Sequence, residues 1–139
     1  MQTAIPAVVF GAVGTAGQRC TSTRMLIIHD SIYDKVKDSV MNAYKSLKIG
    51  DPLNEKNHVG PLIDKNAVND FTNALDKVKT EGGTVVYGGE VLSGDGYESD
   101  CYVVPAIVEA ENRYDIVQEE TFAPILYLIK YSKDIEEAI

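Results

Sequence analysis

Apolar positions along this chain fall into helical and extended periods that alternate. Residues 5–13 form a short apolar run that reads as a helix, delivering the chain to a glycine turn before Cys20. Residues 24–29 then read as a strand, apolar enough to be buried on both faces. From Ser31 the period changes to 3.6, with Ile32, Val36, Val40, Ala43, Tyr44 and Leu47 on one face. Ser31 is placed to cap that helix, Asp34 supplies an acid to its first turn, and Gly50-Asp51-Pro52 ends it.

Residues 51–63 show no period and read as an irregular connection. Asp64 is the expected cap of a second helix, with Ala67, Val68, Phe71, Leu75 and Val78 at helical spacing and Glu81-Gly82-Gly83 closing it. Thr84 to Tyr87 is a strand, Gly88-Gly89 a turn, and Gly94-Asp95-Gly96 a tight loop. Tyr102-Val103-Val104 and Ile107-Val108 are extended on either side of Pro105, and Pro124 to Tyr131 is a long apolar strand. The order predicts an α/β domain, a largely parallel sheet flanked by helices. A helical pattern without a stop signal covers residues 133–139, and the first helix begins almost at Met1, so both ends read as cuts within a longer protein.

The 139 residues suffice for one compact domain. A net charge of −8, with no basic cluster, excludes nucleic acid and anionic membrane as partners. No apolar run approaches the ~18 residues of a membrane span, and the first residues lack the basic start of a signal peptide. Two cysteines far apart, Cys20 and Cys101, form no disulfide framework and fit a reducing interior, cytoplasmic or mitochondrial. His29 and His58 share no ligand spacing with them, so no metal site is expected.

The candidate chemistry lies in Gly14-Thr15-Ala16-Gly17-Gln18-Arg19-Cys20-Thr21. A thiol follows a small-residue turn beside a guanidinium, an arrangement suited to covalent attack on an aldehyde or acyl carbon. A buried, inert cysteine is the plain alternative, although a core thiol gains little from an adjacent charge. Gly11, Gly14 and Gly17 do not match the dinucleotide fingerprint and read as packing positions. Read from the residues alone, Glu120 is a solvated carboxylate, Phe122 a core anchor, and Arg19 either a partner of the thiolate or a salt-bridge former. His29 and His58 read as structural or surface groups, and Cys101 has no visible activating partner.

The segment Phe10 to Thr21 resembles the nucleophile region of the NAD(P)-dependent aldehyde dehydrogenases. Gly60-Pro61, the run Glu81 to Gly89, Tyr102-Val103-Val104-Pro105 and Glu119-Glu120-Thr121-Phe122-Ala123-Pro124 resemble further elements of that family, in its order, across nearly the whole chain. Arg19 before the cysteine and Ala123 after the phenylalanine are similar to the antiquitin branch, the α-aminoadipic semialdehyde dehydrogenases of lysine breakdown. Ala106 and Met25 depart from the usual pattern.

The resemblance implies that Cys20 is the nucleophile that forms the thiohemiacetal and thioester. It implies that Arg19 grips a substrate carboxylate and that Glu120 and Phe122 contact the nicotinamide end of NAD, with NADP as the other option. It also implies that residues 1–139 are a partial catalytic domain of a homo-oligomeric enzyme that acts on an aldehyde. The cofactor-binding domain, the joining arm, the oxyanion asparagine and the Glu-Leu-Gly-Gly general-base element are not in this sequence. These residues are therefore expected to be inactive alone. The competing readings are a piece of a CoA-acylating relative and a non-catalytic truncated product.

Overall fold

A computed structural model describes residues 3–138. The first helix, α1 (Ala4–Val13), runs directly into the turn that carries Cys20. Strand β1 (Met25–His29) follows, then helix α2 (Asp30–Lys45) and helix α3 (Lys65–Thr80). Strands β2 (Thr84–Tyr87), β3 (Val91–Leu92), β4 (Tyr102–Val103) and β5 (Ala106–Glu109) precede a one-turn helix, α4 (Asp115–Gln118), and strand β6 (Ile125–Tyr131). Ile135–Ala138 form a 3₁₀ turn where the sequence suggested a helix, and the last residue of that expected helix, Ile139, lies outside the described residues.

The main sheet has the order β1-β6-β5-β2. β6 runs parallel to both neighbours, pairing Ile27 with Ile129 on one side and Ala106 with Ile125 on the other. β2 joins antiparallel to β5, so the sheet is mixed with a parallel centre. That centre explains the composition of β6: Ile125 to Ile129 are all buried, as a strand covered on both faces requires. The neighbouring helices contribute Val40, Tyr44, Phe71, Leu75 and Val78 to the same core.

Several expectations change. β1 is not buried on both faces, because Met25 and Ile27 are each 40% exposed while Ile28 is buried. α2 starts at Asp30, and its cap is His29, whose Nδ1 accepts the Ser31 N–H at 3.2 Å; Ser31 and Asp34 lie inside the helix. The buried stripe of α2 is Tyr33, Val36, Val40 and Tyr44, with Ile32 half exposed. The stripe differs from the expected one only at its start, where Tyr33 is buried in place of Ile32: the Tyr33 hydroxyl donates to Glu109 Oε1 at 2.9 Å, while Lys37 and Lys130 lie over its ring. The helix ends at Lys45, ahead of Gly50-Asp51-Pro52. By contrast, Asp64 caps α3 as the pattern predicts, its Oδ1 accepting the Ala67 N–H at 2.8 Å.

The two extended runs around Pro105 belong to different sheets: Tyr102 pairs with Leu92 in a two-stranded ribbon, and Ala106 opens a main-sheet strand. His58 also serves the backbone, its Nδ1 accepting the Lys48 N–H at 3.0 Å.

Candidate functional site

The turn that presents Cys20 is built from two left-handed residues in succession, Ala16 at φ 52° and Gly17 at φ 67°. A side-chain-bearing residue pays about 1–2 kcal/mol to stand there, so Ala16 marks a backbone held by its surroundings. Those surroundings include the loop before β6. A Cβ on Gly17 would stand 2.2 Å from the Ala123 carbonyl oxygen and 2.6 Å from the Pro124 nitrogen, so only glycine fits. Gly11 plays a related part, with Thr23 crossing α1 at that point and donating its N–H to the Gly11 carbonyl at 2.9 Å.

Gln18 ties the same turn to the connection before α3. Its amide nitrogen donates to the Pro61 carbonyl at 3.4 Å, and its amide oxygen accepts the Ile63 N–H at 2.8 Å. Leu62 between them donates its N–H to the Cys101 carbonyl at 2.8 Å, which holds this loop from its other side. Cys101 itself is buried, its thiol donating to the Ser99 carbonyl at 3.3 Å.

Cys20 is exposed, at the centre of a turn closed by Ser22 N–H to the Arg19 carbonyl at 3.0 Å. Among the described residues neither its thiol nor its main-chain N–H has a hydrogen-bond partner. Both are therefore available to a ligand. The Arg19 guanidinium is exposed and forms no ion pair among the described residues.

The four residues singled out in the sequence do not share one concavity. Phe122, 45% exposed, borders an opening of about 540 Å³ with Gln18, Pro61, Leu62 and Ile63. Phe122 also borders, with Glu120, a second opening of about 400 Å³ that includes Asp70 and Lys77. Arg19 lines a third, of about 300 Å³, with Phe10, Thr15 and Ser22. Cys20 lines none of these three, although its neighbours Gln18 and Arg19 border two of them.

Near Glu120, Lys77 Nζ donates to Glu119 Oε1 at 2.9 Å, which holds the Lys77 ammonium above its ordinary pKa. Glu120 is left exposed, with no ion pair among the described residues. An unpaired carboxylate next to an exposed aromatic ring suits a sugar hydroxyl and a flat heterocycle.

Two residues here carry no distinguishing mark in the sequence: Gln18 stands there as part of a motif, and Arg24 as the start of a strand. Arg24 Nη2 donates to the Glu119 carbonyl and, at 3.5 Å, to the Val117 carbonyl. A cation at the mouth of an otherwise apolar strand is the signal that could have found it, since a partly buried charge needs partners.

The turn that presents Cys20 thus precedes the edge strand β1 of a parallel-centred sheet and packs on the loop before β6. The chain belongs to the aldehyde dehydrogenase family, whose model matches residues 1–139. It is 47% identical over 136 residues to aldehyde dehydrogenase family 7 member A1 of Pisum sativum, covering 98% of this chain and 26% of that protein. It is 47% identical over 133 residues to α-aminoadipic semialdehyde dehydrogenase of Rattus norvegicus, covering 95% of this chain and 24% of that protein. Betaine aldehyde dehydrogenase of Staphylococcus aureus, solved in complex with NAD+, superposes with a TM-score of 0.92 at 25% identity, over 98% of this chain and 27% of that one. The chain thus spans about a quarter of the length of the relatives it matches. Among the described residues no helix is long and apolar enough to cross a membrane.

Proposed function

We propose that residues 1–139 form the nucleophile-bearing part of the catalytic domain of an NAD(P)-dependent aldehyde dehydrogenase, with Cys20 as nucleophile. The observation that carries this reading is the exposed Cys20 thiol with an unpartnered main-chain N–H, on a turn that Gly17 and Gln18 fix from two sides.

The Cys20 sulfur attacks the aldehyde carbon as thiolate, forming a C–S bond while the carbonyl oxygen becomes an oxyanion. The Cys20 N–H donates to that oxygen, a contact worth about 3 kcal/mol in the transition state. Nicotinamide dinucleotide, when bound, supplies the hydride acceptor. Glu120 and Phe122 fit its nicotinamide end, the carboxylate toward ribose hydroxyls and the ring toward the base. Loss of hydride leaves a Cys20 thioester, and water releases the carboxylic acid and the thiol. The base for that water, the second oxyanion donor and most of the dinucleotide site are supplied by polypeptide beyond these 139 residues, so these residues alone do not turn over.

Arg19 binds the carboxylate end of a substrate such as α-aminoadipic semialdehyde. Its free guanidinium beside Cys20 supports this, as does the likeness to the rat enzyme of that name. The parent enzyme is homo-oligomeric in this reading, as the family resemblance implies.

The test is a hybrid in which this chain replaces the matching quarter of the pea relative. NADH formation with aldehydes that carry a distal carboxylate, and its loss with uncharged aldehydes of equal length, is the expected result. A preference for uncharged aldehydes would refute the role of Arg19, and absence of NADH formation from a folded hybrid would refute the whole reading.

A further inference from the structure

We propose that Arg24 is a positioning residue that sets how the Glu120–Phe122 segment stands against the Cys20 turn. The proposal deepens the functional reading above and rests on it for its consequence, though its geometry is independent of that reading.

Arg24 holds both ends of one loop. Its side chain donates to the carbonyls of Val117 and Glu119, at the start of the segment. Its own carbonyl accepts the Tyr127 N–H at 2.8 Å, just after the segment has entered β6. Everything between those anchors, Glu120 and Phe122 included, is therefore tethered to a residue four positions beyond Cys20.

The chemistry at the first anchor is specific. The closing carbonyls of α4 have no intrahelical partner, and a cation satisfies them while opposing the negative end of the turn. Both bonds leave one nitrogen, Nη2, whose two hydrogens are fixed in the guanidinium plane, whereas the hydrogens of an ammonium turn freely about its stem. The second contact between the two parts, Gly17 against Ala123 and Pro124, is van der Waals packing with no polar direction. Packing limits how close the loop comes, and Arg24 limits how far it retreats. Lys77 on Glu119 restrains the same residue from α3, but through an exposed side-chain pair that leaves the main chain free.

The experiment uses the full 139-residue chain with Cys101→Ser, so that Cys20 alone carries a nitroxide spin label. Relaxation enhancement is read at the amides of Thr121 and Phe122 and, as an internal control, at Ile63 on the loop held by Gln18. Arg24→Gln is expected to weaken the enhancement at Thr121 and Phe122 while Ile63 keeps it. Hydrogen exchange of the Glu119 and Ala123 amides, bonded to the Asp115 and Thr121 carbonyls, is expected to rise roughly tenfold, the equivalent of one lost charge-assisted bond. Millimolar guanidinium, but not ammonium, restores both signals in Arg24→Ala. Arg24→Lys, which keeps the charge and loses the fixed donor plane, gives an intermediate enhancement and serves if the other variants do not fold. Unchanged enhancement at Thr121 and Phe122 in a folded Arg24→Gln or Arg24→Lys protein overturns the proposal. Because none of these readouts requires turnover, failure of the aldehyde dehydrogenase reading would show in the hybrid enzyme and leave this result standing.

Discussion

Gly17 and Ala123, more than a hundred residues apart in sequence, meet backbone to backbone. A single added carbon on Gly17 would stand 2.2 Å from the Ala123 carbonyl oxygen. This contact joins the turn that presents Cys20 to the loop that presents Glu120 and Phe122, so the two halves of the candidate site are set against each other.

Gly17→Ala should therefore be costly on two counts: the left-handed backbone and the steric conflict with Ala123. Together these amount to about 2–5 kcal/mol. Urea denaturation followed by circular dichroism checks this, and a loss well under 1 kcal/mol would show that the turn relaxes freely.

The Gln18 clamp has a different signature. Gln18→Ala removes a donor and an acceptor from loop 61–63 and should cost about 1 kcal/mol. Faster hydrogen exchange should be confined to the Ile63 amide and its neighbours. Gln18→Glu keeps the acceptor for Ile63 and should preserve protection there while losing the bond to Pro61.

Much of the fold was legible in the sequence where the signal is local. The cap at Asp64 and the face of α3 follow from spacing, and the apolar run of β6 announces a central strand. In α2 the spacing finds Val36, Val40 and Tyr44 but not Tyr33, because the residues that engage Tyr33, Glu109 and Lys130, lie far along the chain. β3 and β4 have two residues each, too few for any period to show, and α4 is a single turn. At the site, Cys20 could be reached from its neighbours. Glu120 and Phe122 came only through family resemblance, because nothing local distinguishes them from a surface acid and a core ring. Gln18 and Arg24 act on main-chain carbonyls distant in sequence, information that side-chain pattern does not hold.

The Glu109 cluster predicts how stability varies with acid. Burial alone would raise the Glu109 pKa, but bonds from Lys37 at 3.0 Å and from Tyr33 outweigh it and hold the carboxyl below its usual value of 4.5. Its contribution is thus present above the unfolded-state pKa and is lost as pH falls through the lower folded value. Glu109→Gln should destabilise the chain at pH 7 by on the order of 1 kcal/mol and by much less at pH 3. Equal losses at both pH values in urea titrations would contradict the assignment.

Helix capping gives a calibration outside the site. Asp64→Ala removes the acceptor for the Ala67 N–H and should cost about 1 kcal/mol, with Asp64→Asn retaining most of it. Thermal unfolding of the two variants, measured together, checks the ranking.

Arg19 tests substrate recognition. In the hybrid enzyme, Arg19→Ala should raise KM for an aldehyde with a distal carboxylate by roughly tenfold or more. KM for an uncharged aldehyde should move little. Parallel rises in both would assign Arg19 to the turn rather than to the substrate.

The most direct measurement replaces one sulfur by oxygen. In the hybrid enzyme Cys20→Ser should lower kcat about a thousandfold or more, because a neutral hydroxyl is a far weaker nucleophile than a thiolate and no other thiol stands on that turn. Cys101→Ser, which preserves the bond to the Ser99 carbonyl, should leave kcat within about twofold. NADH formation that survives Cys20→Ser undiminished would contradict the account at its centre.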